Sequence, residues 1–187
     1  MNKVIVFNSV TLDGFFTDTK GDMSWAHRAV DAEWNNFVEN NAKGEGMMLF
    51  GRITYQMMAS WWPSPQAMKA MPLVAERMNR ARKVVFSRTL TEATWSNTTL
   101  VKEDLLATVQ DLKQTAGKDM IIFASGTIVS QLAAKGLVDE YQLVVNPLVL
   151  GRGRTMFETL TQPLKLKHTQ TRTFGNGNVY LCYEAQK

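Results

Sequence analysis

Short runs of consecutive apolar residues recur along the chain, and between most of them apolar side chains return every three or four positions. Consecutive apolar runs of about four to eight residues are typical of strands buried on both faces, whereas the longer spacing is typical of amphipathic helices. The pattern therefore predicts both kinds of element. The predicted strands are 3–8, 47–50, 83–87, 98–101, 119–124, 139–149, 164–174 and 178–185.

Helical spacing predicts five helices, and glycine or proline residues mark most of their ends. Segments rich in Gly, Asp and Pro are predicted to be turns and loops, among them 11–24 and 61–65. The Gly-Asn-Gly-Asn run at 175–178 has the turn chemistry of a hairpin between the last two strands. The predicted helices are 28–41, 53–60, 72–80, 105–116, and a fifth that opens at the turn 125–127 and ends at Lys135.

The order of these elements predicts the fold class. Strands and helices alternate until about residue 135, and the rest is mostly strand. Strands linked by helices favour a parallel sheet covered on both faces. We predict a three-layer α/β fold with a mostly parallel central sheet of about eight strands, flanking helices and a C-terminal antiparallel hairpin. Because the sequence contains no recognisable linker or internal repeat, residues 1–187 are predicted to form a single domain.

Composition limits the class of protein without naming its function. The chain has 187 residues, of which 45% are apolar and 20% charged, and one cysteine, Cys182. No signal peptide or membrane helix is recognisable, so a soluble cytoplasmic protein without a membrane partner is expected. The net charge of +4 is spread along the chain, apart from Arg77, Arg80, Arg82 and Lys83. This charge argues against a nucleic-acid partner and is compatible with a small anionic ligand.

Three predicted strands end in residues suited to phosphate binding. The strand 119–124 runs into Ser125-Gly126-Thr127, the strand 47–50 into Gly51-Arg52 with Thr54, and the strand 83–87 into Arg88 after Ser87. Helix N-termini present free amides, and arginine offers a fork of donors that matches phosphate. Because ligands of open α/β sheets lie at the carboxyl ends of strands, we expect the three ends to share one site. The alternative for Ser125 or Thr127 alone is a simple helix N-cap.

Two carboxylates are candidates for handling a proton. Asp31 and Glu33 lie in the first predicted helix, and desolvation beside an apolar cleft would raise the pKa of such a group toward neutrality. The alternative is a solvated helix face. His27 and His168 are far apart and lack metal-ligand spacing, so no metal site is predicted.

Several of these pieces, in this order, resemble one family of small bacterial proteins. They are Ser9–Gly14 followed by a Gly-Asp-x-x-Trp run, Phe50-Gly-Arg-x-Thr-Tyr, Trp62-Pro63, Ser125-Gly-Thr, and Asn146-Pro-x-x-Leu-Gly-x-Gly. The family is dihydrofolate-reductase-like and includes the C-terminal reductase domain of the bifunctional riboflavin-pathway deaminase-reductase. The resemblance covers roughly residues 3 to 184, but the zinc-binding pattern of the deaminase half is absent.

The resemblance implies NADPH as cofactor and a role for each motif. Gly51, Arg52 and Thr54 would hold cofactor phosphates, and Ser87 and Arg88 would lie near the adenosine 2′-phosphate. The turn of Ser125, Gly126 and Thr127 would receive the pyrophosphate. Asn8 and Ser9 would line the nicotinamide, covered by the loop 15–25 that carries Phe16. Alignment of Trp25 and Trp34 with the two matching tryptophans of dihydrofolate reductase places Asp31, or else Glu33, near the position of the catalytic acid of that enzyme.

The implied activity is hydride transfer from NADPH to a C=O or C=N group of a small heterocyclic substrate. The favoured substrate is 5-amino-6-(5-phosphoribosylamino)uracil. Dihydrofolate or a pterin is the second possibility, and a non-catalytic NADP-binding protein is the third. A homodimer is expected, both from the family and because Trp61, Trp62 and the methionine-rich segments around them could form an exposed apolar patch.

Overall fold

The computed structural model describes residues 1–27, 31–42 and 44–186. Within these residues the chain forms a sheet of eight strands and six α-helices, with a 3₁₀ turn at Ser24–His27. The strands are β1 Val4–Thr11, β2 Met47–Gly51, β3 Lys83–Phe86, β4 Thr98–Val101, β5 Met120–Phe123, β6 Glu140–Asn146, β7 Leu166–Thr173 and β8 Val179–Ala185. The helices are α1 Ala32–Ala42, α2 Arg52–Trp61, α3 Pro65–Ala70, α4 Pro72–Arg80, α5 Leu105–Thr115 and α6 Gly126–Ala133.

One mixed sheet carries all eight strands in the order β4-β3-β2-β5-β1-β6-β8-β7. The five pairings from β4 to β6 are parallel, and the two pairings of β8 are antiparallel. This arrangement confirms the predicted fold class, including the C-terminal hairpin. Because β1 to β6 all point the same way, their carboxyl ends meet at one edge of the sheet.

Helices cover both faces of the sheet, as the apolar strands require. Leu49 of β2 packs in a cluster with Val109 of α5 and Leu132 of α6. Its neighbour Phe50 belongs to a second cluster that includes Tyr55 of α2 and Met78 of α4. Successive side chains of a strand point to opposite faces, so these two clusters lie on opposite sides of the sheet.

A third, smaller cluster lies under α1 on the hairpin side of the sheet. Phe37 packs against Tyr180, with ring centroids 4.8 Å apart, and against Phe174 at 5.0 Å. The outer strand β7 is polar and mostly exposed, and its pairing with β8 is irregular between His168 and Gln170. An irregular polar edge of this kind discourages pairing with another sheet.

Differences from the predicted elements have local causes. Helix α3 was not predicted, but Ser64 caps it by accepting a hydrogen bond from the amide of Ala67 (3.1 Å), and Pro65 begins it. Strand β6 ends at Asn146 and not at residue 149, because Pro147 has no amide to continue the ladder. Of the predicted helix 28–41, residues 28–30 lie outside the described part. No described helix combines the length and apolarity needed to cross a membrane.

Candidate functional site

A cleft of about 940 Å³ opens at the carboxyl edge of β2, β3, β4 and β5. The three strand ends that the sequence singled out all reach it. Nine of the predicted cofactor residues line its wall, namely Phe16, Gly51, Arg52, Thr54, Ser87, Arg88, Ser125, Gly126 and Thr127.

The junction between β5 and α6 forms the floor of the cleft. Ala124 and Ser125 both adopt left-handed backbone conformations, with φ of 47° and 49°. Such conformations are costly for residues with a Cβ and are concentrated at functional sites. The Ser125 carbonyl accepts bonds from Ile128 and Val129 (2.8 and 3.1 Å), whereas the described residues provide no acceptor for the amides of Gly126 and Thr127. These two amides, at the positive end of α6, are suited to bind an anion.

The Ser125 hydroxyl does not cap α6, contrary to the simpler alternative drawn from the sequence. It accepts a hydrogen bond from the amide of Gly51 instead (3.0 Å). In return, the amide of Ser125 donates to the hydroxyl of buried Thr54 (3.2 Å). These two bonds tie the start of α2 to the start of α6, so two helix N-termini face the same cleft.

Cations line the cleft from this floor outward, and the carboxylates of Glu103 and Asp104 belong to the lining as well. Arg52 is held at the first turn of α2 by a bond from its guanidinium to Gln56 (3.1 Å). Ser87 closes the turn after β3 by accepting bonds from the amides of Thr89 and Leu90 (3.2 and 3.0 Å), which leaves Arg88 exposed at the apex.

The sequence analysis missed three cations of this group, and Lys102 is the one that it could have found. It directly follows β4, and the bond from the Ser87 amide to the Val101 carbonyl (3.0 Å) brings the two strand ends together. Lys102 therefore lines the cleft beside Arg88. The strand-end rule used for the other three motifs would have found it. Lys20 and Arg154 also line the cleft, but nothing in their sequence context marked them.

Phe16 covers the α6 N-terminus. A Cβ at Gly126 would overlap its ring, so a glycine is required beneath it. The Phe16 amide donates to the Arg154 carbonyl (3.0 Å), and the Asp13 carboxylate accepts from the Gly151 amide (2.7 Å). The hydroxyl of Thr11 bonds to Asp13 as well, and this bond holds the pKa of that carboxyl below its usual value. Phe16 thus both packs in the core and lines the cleft.

Asn8 and Ser9 lie on β1, beside the left-handed turn but outside the cleft lining. Asn8 is 2% exposed, and its side-chain amide donates to the Ala124 carbonyl (3.3 Å) and contacts the Met156 sulfur (2.7 Å). The Asn8 side chain therefore stabilises the left-handed turn through its bond to the Ala124 carbonyl. The backbone contacts predicted for Asn8 and Ser9 remain a prediction.

The structure keeps both candidate acids out of the cleft lining. Asp31 caps α1 by accepting a bond from the Trp34 amide (2.7 Å). Glu33 pairs with Arg172 (3.0 Å) and accepts from the Gly175 amide (3.2 Å), and the Arg172 bond lowers the pKa of Glu33. For Glu33 the structure therefore supports the alternative of a solvated helix face and not a pKa raised by desolvation. Among the described residues, no group of three or more His, Cys, Asp or Glu side chains could hold a metal ion.

Fold and cleft together define an α/β protein with a cleft, lined by helix N-termini and cations, at the carboxyl edge of a parallel sheet. The sequence model of the RibD C-terminal domain matches residues 2–180. The chain therefore belongs to the RibD C-terminal domain family.

Known proteins resemble the chain over nearly its full length. The uncharacterized protein YyaP of Bacillus subtilis (strain 168) is 28% identical over 181 residues, which is 97% of this chain and 94% of YyaP. A structure from Shewanella sp. PV-4, named for riboflavin biosynthesis, is 23% identical with a TM-score of 0.73 and 99% coverage of both chains.

A second similar structure belongs to a longer protein. The diaminohydroxyphosphoribosylaminopyrimidine deaminase/5-amino-6-(5-phosphoribosylamino)uracil reductase of Thermotoga maritima is 14% identical with a TM-score of 0.68. The match covers 99% of this chain and 57% of that one. At these identities the two structures establish a shared fold.

Thr54→Val tests the link between the two helix starts. The substitution keeps the shape of the side chain but leaves the buried Ser125 amide without its acceptor, so the free energy of unfolding should fall by about 1–3 kcal/mol. Thr54→Ser keeps the hydroxyl and is the matched control. Urea unfolding of the two variants measures the difference, and equal stability of both would contradict the assigned role.

Proposed function

We propose that the protein is an NADPH-dependent reductase. The observation that carries this proposal is the convergence of two helix N-termini and the cations Arg52, Arg88 and Lys102 on one cleft. NADPH is an elongated ligand with three phosphate groups, and a row of amides and cations is what such a ligand needs. Family membership supports the same cofactor.

The residues that line the cleft match successive parts of the cofactor, in their order along the edge of the sheet. The pyrophosphate fits the free amides of Gly126 and Thr127, with Arg52 beside them. The adenosine 2′-phosphate fits Arg88 and Lys102 at the outer strands. We assign the nicotinamide to the side where Phe16 covers the cleft, next to β1.

The proposed reaction is hydride transfer to a C=O or C=N group of a small heterocycle. Bound NADPH would supply the hydride, so the protein's tasks are orientation, exclusion of water and delivery of a proton. Phe16 is placed to exclude water from the α6 N-terminus. Of the two candidate acids we favour Asp31, because no salt bridge within the described residues engages its carboxylate, whereas the bond from Arg172 lowers the pKa of Glu33.

We propose 5-amino-6-(5-phosphoribosylamino)uracil as the substrate, a compound that the name of the Thermotoga maritima protein contains. Dihydrofolate or a pterin is the second candidate, and it would be favoured by inhibition with methotrexate. A protein that binds NADPH but oxidises it with none of these compounds would match the non-catalytic alternative. We keep the cytoplasm as the proposed location.

A fluorescence titration with NADPH and with NADH tests the cofactor. Arg88→Gln should weaken NADPH binding roughly tenfold, because a charge-assisted bond to the 2′-phosphate is lost, and should leave NADH binding nearly unchanged. Lys167→Gln on β7 removes the same charge far from the cleft and is the control. Absence of NADPH binding by the unaltered protein would refute the cofactor assignment.

Asp31→Asn separates proton delivery from helix capping. Asparagine caps helices as well as aspartate does, so α1 should persist while kcat falls by about 10²-fold or more. Glu33→Gln is the comparison and should leave kcat within a fewfold, since a carboxylate with a lowered pKa has no proton to give at neutral pH. Steady-state oxidation of NADPH at saturating substrate measures kcat for both variants, and an unchanged kcat in Asp31→Asn would exclude this residue as the donor.

We also propose a homodimer that uses an exposed apolar stripe of α2, which borders the cleft through Ile53 and Met57. Ile53, Met57 and Trp61 follow one another at four-residue spacing and are 68%, 43% and 47% exposed. An exposed apolar stripe on a helix is typical of an interaction surface. Light scattering should give twice the mass of 21.1 kDa, and a monomeric mass at micromolar concentration would rule the dimer out.

A further inference from the structure

A second pocket, of about 380 Å³, lies at the edge of the sheet opposite the cleft. It is formed where β2, β3 and β5 begin, by the end of α4 and the residues that precede these strands. We call it the amino-edge pocket. Its charged lining residues are Glu45, Arg77, Arg80, Arg82 and Lys118. The proposed reductase function makes no use of it.

Four cations and a single carboxylate therefore face this pocket. The carboxylate of Glu45 is bound to Lys118. Arg80 pairs with Glu76 at 3.6 Å, but Glu76 is not part of the lining. Within the described part of the chain, the guanidinium of Arg82 has no ion pair or hydrogen bond. The pocket as it stands carries an excess of positive charge.

Arg77 is fixed in place within this group. Its side chain is buried, and it donates from Nε to the Gly44 carbonyl and from Nη2 to the Gly46 carbonyl (2.6 Å). Burial, together with the nearby charge of Arg80, lowers its pKa below the ordinary value for arginine, and the carboxylate of Glu45 offsets this only in part. Holding two guanidinium groups together is unfavourable unless an anion compensates them.

Lys83 neutralises the partial negative charge of backbone carbonyls that would otherwise oppose an anion here. A helix C-terminus presents free carbonyls, and α4 ends at this pocket. Lys83 is 1% exposed and donates to the carbonyls of Met78, Asn79 and Ala81 (2.8, 3.1 and 2.7 Å). The carbonyls at the end of α4 are thus already bound by a cation.

From these observations we infer that the amino-edge pocket is a second anion site, which binds a small phosphate-bearing molecule through Arg77, Arg80 and Arg82. Guanidinium groups match phosphate oxygens in pairs, and several converging cations favour an anion of more than one charge. The volume is that of a small-molecule site, and the location on the far edge of the sheet separates it from the proposed cofactor cleft. The inference does not depend on the reductase proposal.

Inorganic pyrophosphate is the probe, followed by amide chemical shifts in NMR at low ionic strength. The carboxyl-edge cleft can also take pyrophosphate, so the titration uses the Arg52→Gln/Arg88→Gln variant as well as the unaltered chain. In both proteins we expect saturable shifts of the amides of Gly46, Arg82 and Lys118. Arg82→Gln should weaken binding at these amides roughly five- to tenfold. Its backbone carbonyl, which accepts from Met48 (2.9 Å), is unaffected by the substitution.

The controls distinguish binding at a specific site from general attraction of pyrophosphate to the positively charged surface. Lys167→Gln removes one positive charge on β7 and should leave the pyrophosphate affinity of the amino-edge pocket unchanged. Acetate, with one charge, should bind far more weakly than pyrophosphate. Equal weakening by Arg82→Gln and Lys167→Gln, or shifts confined to the carboxyl-edge cleft, would overturn the inference. Loss of NADPH binding alone would bear only on the reductase proposal.

Discussion

The pair of hydrogen bonds around Ser125 is the interaction on which the carboxyl-edge cleft depends. Gly51 donates to the serine hydroxyl, and the serine amide donates to Thr54. These bonds hold a left-handed turn that a serine would not adopt alone, and they bring the starts of α2 and α6 together. The same residues thus provide the strain, its compensation and the surface that faces a ligand.

Much of this arrangement could be predicted because it follows from periodicity and strand direction. Apolar runs at the lengths of strands indicated a covered parallel sheet, and a parallel sheet brings Gly51, Ser87 and Ser125 to one edge. Side-chain partners could not be predicted in the same way. Nothing in the local sequence of Glu33 indicates Arg172, which is 139 positions away. The helix α3 was missed because its capping serine lies inside a segment that proline made look like a loop.

The basic residues at 77–83 are close together in the sequence, but the fold separates them into two environments. Along the sequence Arg77, Arg80, Arg82 and Lys83 form one cluster. In the fold Lys83 turns into the sheet, where burial lowers its pKa to about 8 and its ammonium lies 4.4 Å from the ring of Trp95. The three arginines remain at the amino edge. The sheet therefore has a cationic pocket at each end of its parallel strands, and only one was evident from the sequence.

The contact between Gly153 and the segment 15–17 has a consequence for how members of such a family could diverge. A Cβ at position 153 would collide with the Thr17 carbonyl and the Phe15 side chain, and Asp13 binds the amide of Gly151. The two loops are far apart in the chain but pack together as one unit. A loop transplanted from a relative at either position alone would meet a mismatched counterpart. Grafts intended to change ligand preference should exchange both loops as a single unit.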